Sequence, residues 1–344
     1  MDPRGLLWND AERRPRAPLR VVLLIVVSAL LAVGTSLGAT VGFGGLRSWV
    51  AATAGEAAAA TVSAVTGIVL TGGTVTLAVL IAGRYVDRRR VRDFGFRIDR
   101  HWWLDCGFGL ALGAGLMTLL FLVALGAGWV RITGTLQPRS GFAVRFLGLV
   151  VVFVVVGVYE ELLLRGYLLT NAAEGLVGRL GERGAVVGAT VLSSLVFGLA
   201  HATNPNATLL STGTIVLAGI MLAVGYVLTG ELAVPIGLHT TWNLFQGGFY
   251  GFPVSGLGVG ASVVAVEETG PDLVTGGAFG PEAGLLGLGA MVVGTVAIAA
   301  WARWRTGDLR IDPAVTTPEL RTGDADEPAS VDADRWEPAP GERD

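Results

Sequence analysis

The chain has 344 residues, of which 52% are hydrophobic and only 15% are charged, and its mean hydropathy is +0.61. Globular proteins in water have closer to about a quarter charged residues, so this composition excludes a typical water-soluble domain and indicates a polytopic membrane protein. The single cysteine excludes an intrachain disulfide and a cysteine-based metal site.

Apolar segments long enough to cross a bilayer recur along the chain. A transmembrane helix needs about 20 mainly apolar residues, and eight segments meet that requirement. The sequence therefore predicts an all-α fold, a polytopic membrane helical bundle with about eight transmembrane helices. In chain order the predicted spans are 19–38, 58–82, 104–130, 143–170, 184–203, 211–229, 232–250 and 283–302.

Arginines predict the orientation of these spans. They cluster in the N-terminal segment 1–18, in the connection after the second span and just after the last span. In contrast, the charged residues of the loop 251–282 are all acidic. Because positive residues are enriched in cytoplasmic loops, we expect a multi-pass protein of the cell membrane with both termini in the cytoplasm.

The C-terminal segment 306–344 has a composition unlike the rest. It contains eleven acidic residues and four arginines, with proline, alanine and serine between them. Such a segment buries too little apolar surface to fold, so we expect a disordered acidic tail. Truncation after Arg305 is then expected to preserve membrane insertion and activity.

Six polar residues inside the predicted spans are candidates for function, because ionisable side chains are rare there and usually functional. They belong to three motifs with i,i+4 spacing, which places the members of each pair on one helix face. The first pair is Glu161 with Arg165, directly preceded by Glu160. The second pair is Phe197 with His201, and the third is His239 with Asn243.

The spacing suggests different roles for the two adjacent glutamates. Glu161 precedes Arg165 by four residues, the favourable order for a helical ion pair, while Glu160 lies about 100° round the helix and stays free for chemistry. Counting from the turn near 180–183, Glu160 and His201 fall at a similar depth. We expect Glu160, His201 and His239 to surround one cavity, within roughly 4–6 Å of each other.

Two kinds of hydrolytic chemistry are compatible with these residue types. A buried glutamate can act as a general base on water with an imidazole beside it, and a second histidine and an asparagine can stabilise an oxyanion. Alternatively, Glu160, His201 and His239 could bind Zn²⁺ and leave a position open for water. A non-catalytic membrane scaffold or a bacteriocin-immunity-type protein, and a transporter, are the alternatives to an enzyme.

At these residues the chain resembles the CAAX-protease and bacteriocin-processing (CPBP, Abi) family of intramembrane endopeptidases. The family motifs read here as EELLLR from Glu160, FGLAH ending at His201 and HTTWN from His239 to Asn243. The resemblance implies hydrolysis of a peptide bond in or near the membrane, by a zinc-dependent or a metal-free glutamate mechanism. It implies that Glu160 and His201 activate water, that His239 and Asn243 stabilise the oxyanion, and that Glu161 and Arg165 support the site.

The resulting organisation has a catalytic CAAX-protease-like membrane core at 143–250, preceded by N-terminal transmembrane helices at 19–130. The final transmembrane helix at 283–302 and the tail follow it. As partners we expect membrane lipid and a membrane-associated peptide or protein substrate, and no nucleic acid.

Overall fold

A computed structural model describes residues 7–321 of the chain, apart from the side chains of residues 40–42. The structure is 73% helical, which confirms the all-α membrane bundle. Its α-helices are α1 (Ala17–Ala54), α2 (Glu56–Tyr85), α3 (Arg100–Gly126), α4 (Phe142–Glu161), α5 (Thr170–Ala200), α6 (Leu209–Thr229), α7 (Ala233–Asn243), α8 (Asp272–Thr275) and α9 (Leu285–Thr306). Two π-helical segments, Leu162–Leu169 and Leu244–Phe249, extend α4 and α7.

Within residues 7–321, six helices are long and apolar enough to cross a membrane. One of them, Phe142–Ala200, is 59 residues long and covers the fourth predicted span and all of the fifth except its last three residues, 201–203. Gly181 interrupts it with φ 67° and ψ 172°, a non-helical conformation that separates the two halves. The seventh predicted span corresponds to α7 and its π-helical extension, 233–249, which is shorter than the others.

Two small antiparallel sheets, which the hydropathy pattern does not predict, join segments outside the apolar helices. Strand β1 (Trp8–Asn9) pairs with β2 (Arg14–Pro15), and β3 (Val130–Gln137) pairs with β4 (Ser262–Glu268). The second sheet ties the connection between α3 and α4 to the long loop before α9. Short 3₁₀ turns occur at Val91–Phe94, Gly277–Phe279, Pro281–Ala283 and Pro313–Val315.

Glycines allow α3 and α7 to approach closely. A Cβ atom on Gly113 would lie 2.5 Å from the carbonyl oxygen of Leu238, and one on Gly109 would lie 2.9 Å from the Leu238 nitrogen. From the other side, a Cβ on Gly237 would lie 2.8 Å from the nitrogen of Leu110. Since lipid supplies no hydrophobic force between helices, this close backbone contact is what packs α7 into the bundle.

A network of buried charges closes one end of the bundle. Arg20 contacts Asp87 at 3.4 Å and Glu174 at 2.9 Å, and Tyr167 donates a 2.8 Å hydrogen bond to Asp87. Three arginines face three buried carboxylates, so the formal charges of these six groups cancel, as a network of buried ions requires. We call it the buried charge network; its members are Arg14, Arg20, Asp87, Arg89, Asp93 and Glu174. The partly exposed Glu12 also contacts Arg14, at 2.7 Å.

Residues 307–321, which we call the terminal strap, fold back onto this end of the bundle. Val315 is fully buried and packs in the core cluster that includes Tyr226 and Val227. The N–H of Asp312 donates a 2.9 Å hydrogen bond to the carbonyl oxygen of Val227. The composition predicts disorder from residue 306 onwards; the rest of that segment, 322–344, lies outside the described residues.

Electrostatic contacts also attach the terminal strap. The Glu319 carboxylate lies 2.9 Å from both Arg92 and Arg97, and its N–H donates a 3.0 Å hydrogen bond to Asp93. Composition could not predict this docking. A few apolar residues among charged ones are enough to dock a segment when the rest of the fold offers them a buried position and charges of opposite sign.

We therefore expect truncation after Arg305 to destabilise the protein, in contrast to the expectation from composition. It removes Val315 from the core and leaves Arg97 without Glu319, so the unfolding temperature in detergent should fall. Val315→Ala alone should cost about 1–2 kcal/mol of unfolding free energy, for the loss of two buried methyl groups. Truncation after Arg321 keeps every described contact and serves as the control; equal unfolding temperatures for the two truncations would contradict the docking.

Glu231, in the connection between α6 and α7, should make stability depend on pH. Burial raises its pKa from 4.5 to about 8, although the N–H of Arg97 donates a hydrogen bond to it. Because folding favours the protonated form, its contribution is complete below pH 4.5 and is lost as the pH rises towards 8. Glu231→Gln should flatten the fall of the unfolding temperature over this range, whereas Glu267→Gln, at an exposed site, should not.

Candidate active site

The EELLLR motif lies where α4 changes into a π-helix. Glu160 and Glu161 end the regular helix, and Arg165 lies within the π-helical segment Leu162–Leu169. A second π-helical segment begins directly after Asn243. Such segments are rare and are often found at functional sites, where they change the direction of side chains.

Glu161 is the centre of the hydrogen-bonded group. Its side chain is fully buried, and its Oε1 atom accepts hydrogen bonds from Arg165 Nη1 at 2.8 Å and from His239 Nδ1 at 2.8 Å. The predicted Glu161–Arg165 ion pair is therefore present, and it contacts α7 through a histidine that the sequence did not link to it. Arg165 also donates to the Gly219 carbonyl at 2.9 Å, and its guanidinium lies 4.8 Å from the centre of the Phe197 ring.

The other nitrogen of His239 faces Glu160. His239 Nε2 lies 4.0 Å from Glu160 Oε2, and the Glu160 side chain is 18% exposed. Glu160 Oε1 accepts a 3.0 Å hydrogen bond from the Tyr159 hydroxyl, while Oε2 has no hydrogen-bond partner in the described part of the chain. One carboxylate oxygen is thus held in place and the other is available.

His201 lies at the end of α5, half-buried, and its Nδ1 donates a 2.8 Å hydrogen bond to the carbonyl oxygen of Phe197. The Phe197 ring lies edge-on to both imidazoles, with centroids 4.8 Å from His201 and 5.9 Å from His239. Over residues 7–321, His201 forms no ion pair with a carboxylate, so the histidine within ion-pair distance of Glu160 is His239. The similar depth predicted for Glu160 and His201 follows from the rise along their helices. That rise does not fix how each helix is rotated, and the rotation determines which histidine approaches Glu160.

Asn243 lies one turn after His239, as its spacing requires. It is half-buried, and its amide makes no hydrogen bond to another described residue. It shares a helix face with His239, so its amide is a free donor on the side of α7 that bears the imidazole.

The predicted zinc ligands do not form a metal-binding group in the described residues. No set of three or more histidine, cysteine, aspartate or glutamate side chains within 7–321 is arranged to bind a metal ion. Glu160 and His239 supply two such groups, and a zinc site needs at least three protein ligands.

The hydrogen bonds fix the protonation pattern of the histidines. Both Nδ1 atoms donate, to Glu161 and to the Phe197 carbonyl, so each neutral ring presents an unprotonated Nε2.

These features define a multi-pass membrane protein with a buried carboxylate and histidine site within its helices. Residues 142–245 match the family described as type II CAAX prenyl endopeptidase Rce1-like. This match confirms the resemblance seen in the motifs, and the matched part, which we call the Rce1-like domain, includes all six predicted site residues. No curated protein and no solved structure matches the chain.

Sequence reasoning missed two features of the site. It did not connect His239 to Glu161, because partners 78 residues apart are set by helix packing rather than by spacing. It also overlooked Tyr159, the one polar side chain in a run of apolar residues directly before Glu160.

Loss of Arg165 should destabilise the fold as well as the site. Arg165→Ala leaves Glu161 as an uncompensated buried charge, which costs about 3–5 kcal/mol. The matched control is Arg131→Ala, which breaks the exposed Arg131–Glu267 pair and should cost at most about 1 kcal/mol. Unfolding in detergent measures the free energy of unfolding that each variant loses. Similar small losses in the two variants would show that the Glu161 charge is compensated in another way.

Proposed function

We propose that the protein is an intramembrane endopeptidase that hydrolyses a peptide bond of a membrane-associated protein or peptide. The observation that supports this best is the pair of groups within the Rce1-like domain that face each other without being bonded. These are the free Oε2 of Glu160 and the Nε2 of His239, 4.0 Å apart. Two acceptors at that separation can hold one water molecule between them.

In the proposed reaction Glu160 is the general base. It removes a proton from the water, whose oxygen attacks the carbonyl carbon of the scissile peptide and gives a tetrahedral oxyanion. When this intermediate collapses, the C–N bond breaks and Glu160 returns the proton to the leaving amine nitrogen. The carboxylate ends as it began, which is the acid–base cycle expected of a buried glutamate.

His239 and Asn243 would stabilise the developing negative charge. The Nδ1–H of His239 is fixed by Glu161, which orients the ring and stabilises the imidazolium if Nε2 takes up a proton. The Asn243 amide would donate to the oxyanion, and so would His239 Nε2 once it has taken up a proton from solvent; such interactions usually contribute most to catalysis. His201, beside the same Phe197 ring, would assist in holding the water.

The environment favours this chemistry. Glu161 and Arg165 are fully buried and His239 is nearly so, and fixed dipoles act more strongly in a medium of low dielectric constant. The orientation that we infer places both termini in the cytoplasm, with membrane lipid surrounding the helices. Since the matching family is described as CAAX prenyl endopeptidase, a peptide with a prenylated C-terminal motif is the first substrate to test.

Glu160→Gln is expected to reduce cleavage to background while leaving expression and detergent stability near those of the wild type. Glutamine keeps the size of the side chain but cannot take a proton from water. Glu56→Gln, at a side chain that is 74% exposed, is the matched control and should cleave normally. The measurement is the cleavage rate of a prenylated peptide by the purified proteins in detergent or liposomes.

Adding a chelator to the same assay separates the two chemistries. Cleavage that persists supports the metal-free glutamate mechanism, and cleavage that stops until Zn²⁺ is restored supports the zinc alternative. If Glu160→Gln retains full activity, Glu160 is not the base. If neither the wild type nor the control cleaves any membrane peptide, the non-catalytic scaffold becomes the better description.

A further inference from the structure

The Tyr159 hydroxyl is the one described protein group that holds the Glu160 carboxylate. It donates a 3.0 Å hydrogen bond to Oε1, and Oε2 is left facing His239 Nε2. A carboxylate on a short flexible stem can turn about its terminal bond, which would exchange its two oxygens. The bond from Tyr159 opposes that rotation.

This contact is not a simple result of helix geometry. Tyr159 and Glu160 are adjacent in α4, and adjacent residues point about 100° apart round a helix, so their side chains do not normally face each other. The tyrosine ring must therefore be directed towards the glutamate by something outside α4.

Gly72 of α2 provides the space for that ring. A Cβ atom on Gly72 would lie 2.9 Å from Cδ1 of Tyr159 and 2.5 Å from Cγ1 of Val155, so any larger residue would displace them. A Cβ atom on the neighbouring Gly73 would have no atom within 4 Å, so only one of the two glycines is constrained. Helix α2 lies outside the matching segment 142–245.

We propose that Tyr159 is a positioning residue that holds Oε1 of Glu160 so that Oε2 faces the reacting water, and that Gly72 seats the Tyr159 ring. The proposal rests on the function proposed above. It adds that the base is oriented from α2, a helix outside the Rce1-like domain.

Tyr159→Phe tests the role of the hydroxyl with little change in packing. Loss of a hydrogen bond to a charged group should lower kcat at neutral pH about tenfold, with KM nearly unchanged. A tyrosine that only fills space would leave kcat near the wild-type value in Tyr159→Phe, because phenylalanine keeps the ring.

Two glycine variants provide the matched pair. Gly72→Ala should displace the ring and reproduce the fall in kcat with KM nearly unchanged, whereas Gly73→Ala should behave as the wild type. The double variant Tyr159→Phe with Gly72→Ala should be no worse than the poorer single variant, because both act through one hydrogen bond.

The outcomes separate this inference from the function on which it rests. If the wild type cleaves and Glu160→Gln does not, an unchanged kcat in Tyr159→Phe overturns the positioning role alone. A Gly72→Ala variant with the wild-type kcat overturns the part assigned to α2. If the wild type cleaves nothing, the proposed function fails and this inference fails with it.

Discussion

The site depends on one oxygen atom of Glu161. Its Oε1 accepts hydrogen bonds from both Arg165 and His239 and so connects α4 with α7. A buried carboxylate is unfavourable in lipid unless a cation compensates it, and the adjacent arginine provides that cation. With Glu161 fixed in this way, the imidazole has one orientation, and its second nitrogen is directed at Glu160.

The rest of the bundle makes this arrangement rigid. Glycines bring α3 and α7 into backbone contact, so the helix that bears His239 has little freedom to rotate. At one end the buried charge network joins the N-terminal segment, the connection after α2 and the start of α5, with charges that cancel. The close glycine contacts and the buried ion pairs both hold helices together without a hydrophobic force, which lipid does not provide.

Sequence reasoning predicted the features that depend on local spacing. The apolar segments indicated the helices, and the i,i+4 relation indicated the Glu161–Arg165 pair. It could not predict which histidine approaches Glu160, because helix rotation and the π-helical segment Leu162–Leu169 decide that. Composition was a poor guide to the terminal strap, where the burial of Val315 depends on a cavity formed by residues far away in the chain.

The terminal strap has a consequence for biosynthesis. Glu319 is among the last described residues to leave the ribosome, yet its partners Arg92 and Arg97 are made more than two hundred residues earlier. These arginines enter the membrane surface long before a carboxylate from the strap reaches them. Assembly of this face therefore waits until the strap itself has been made, and a chain that stops before the strap would insert its helices but leave that face incomplete.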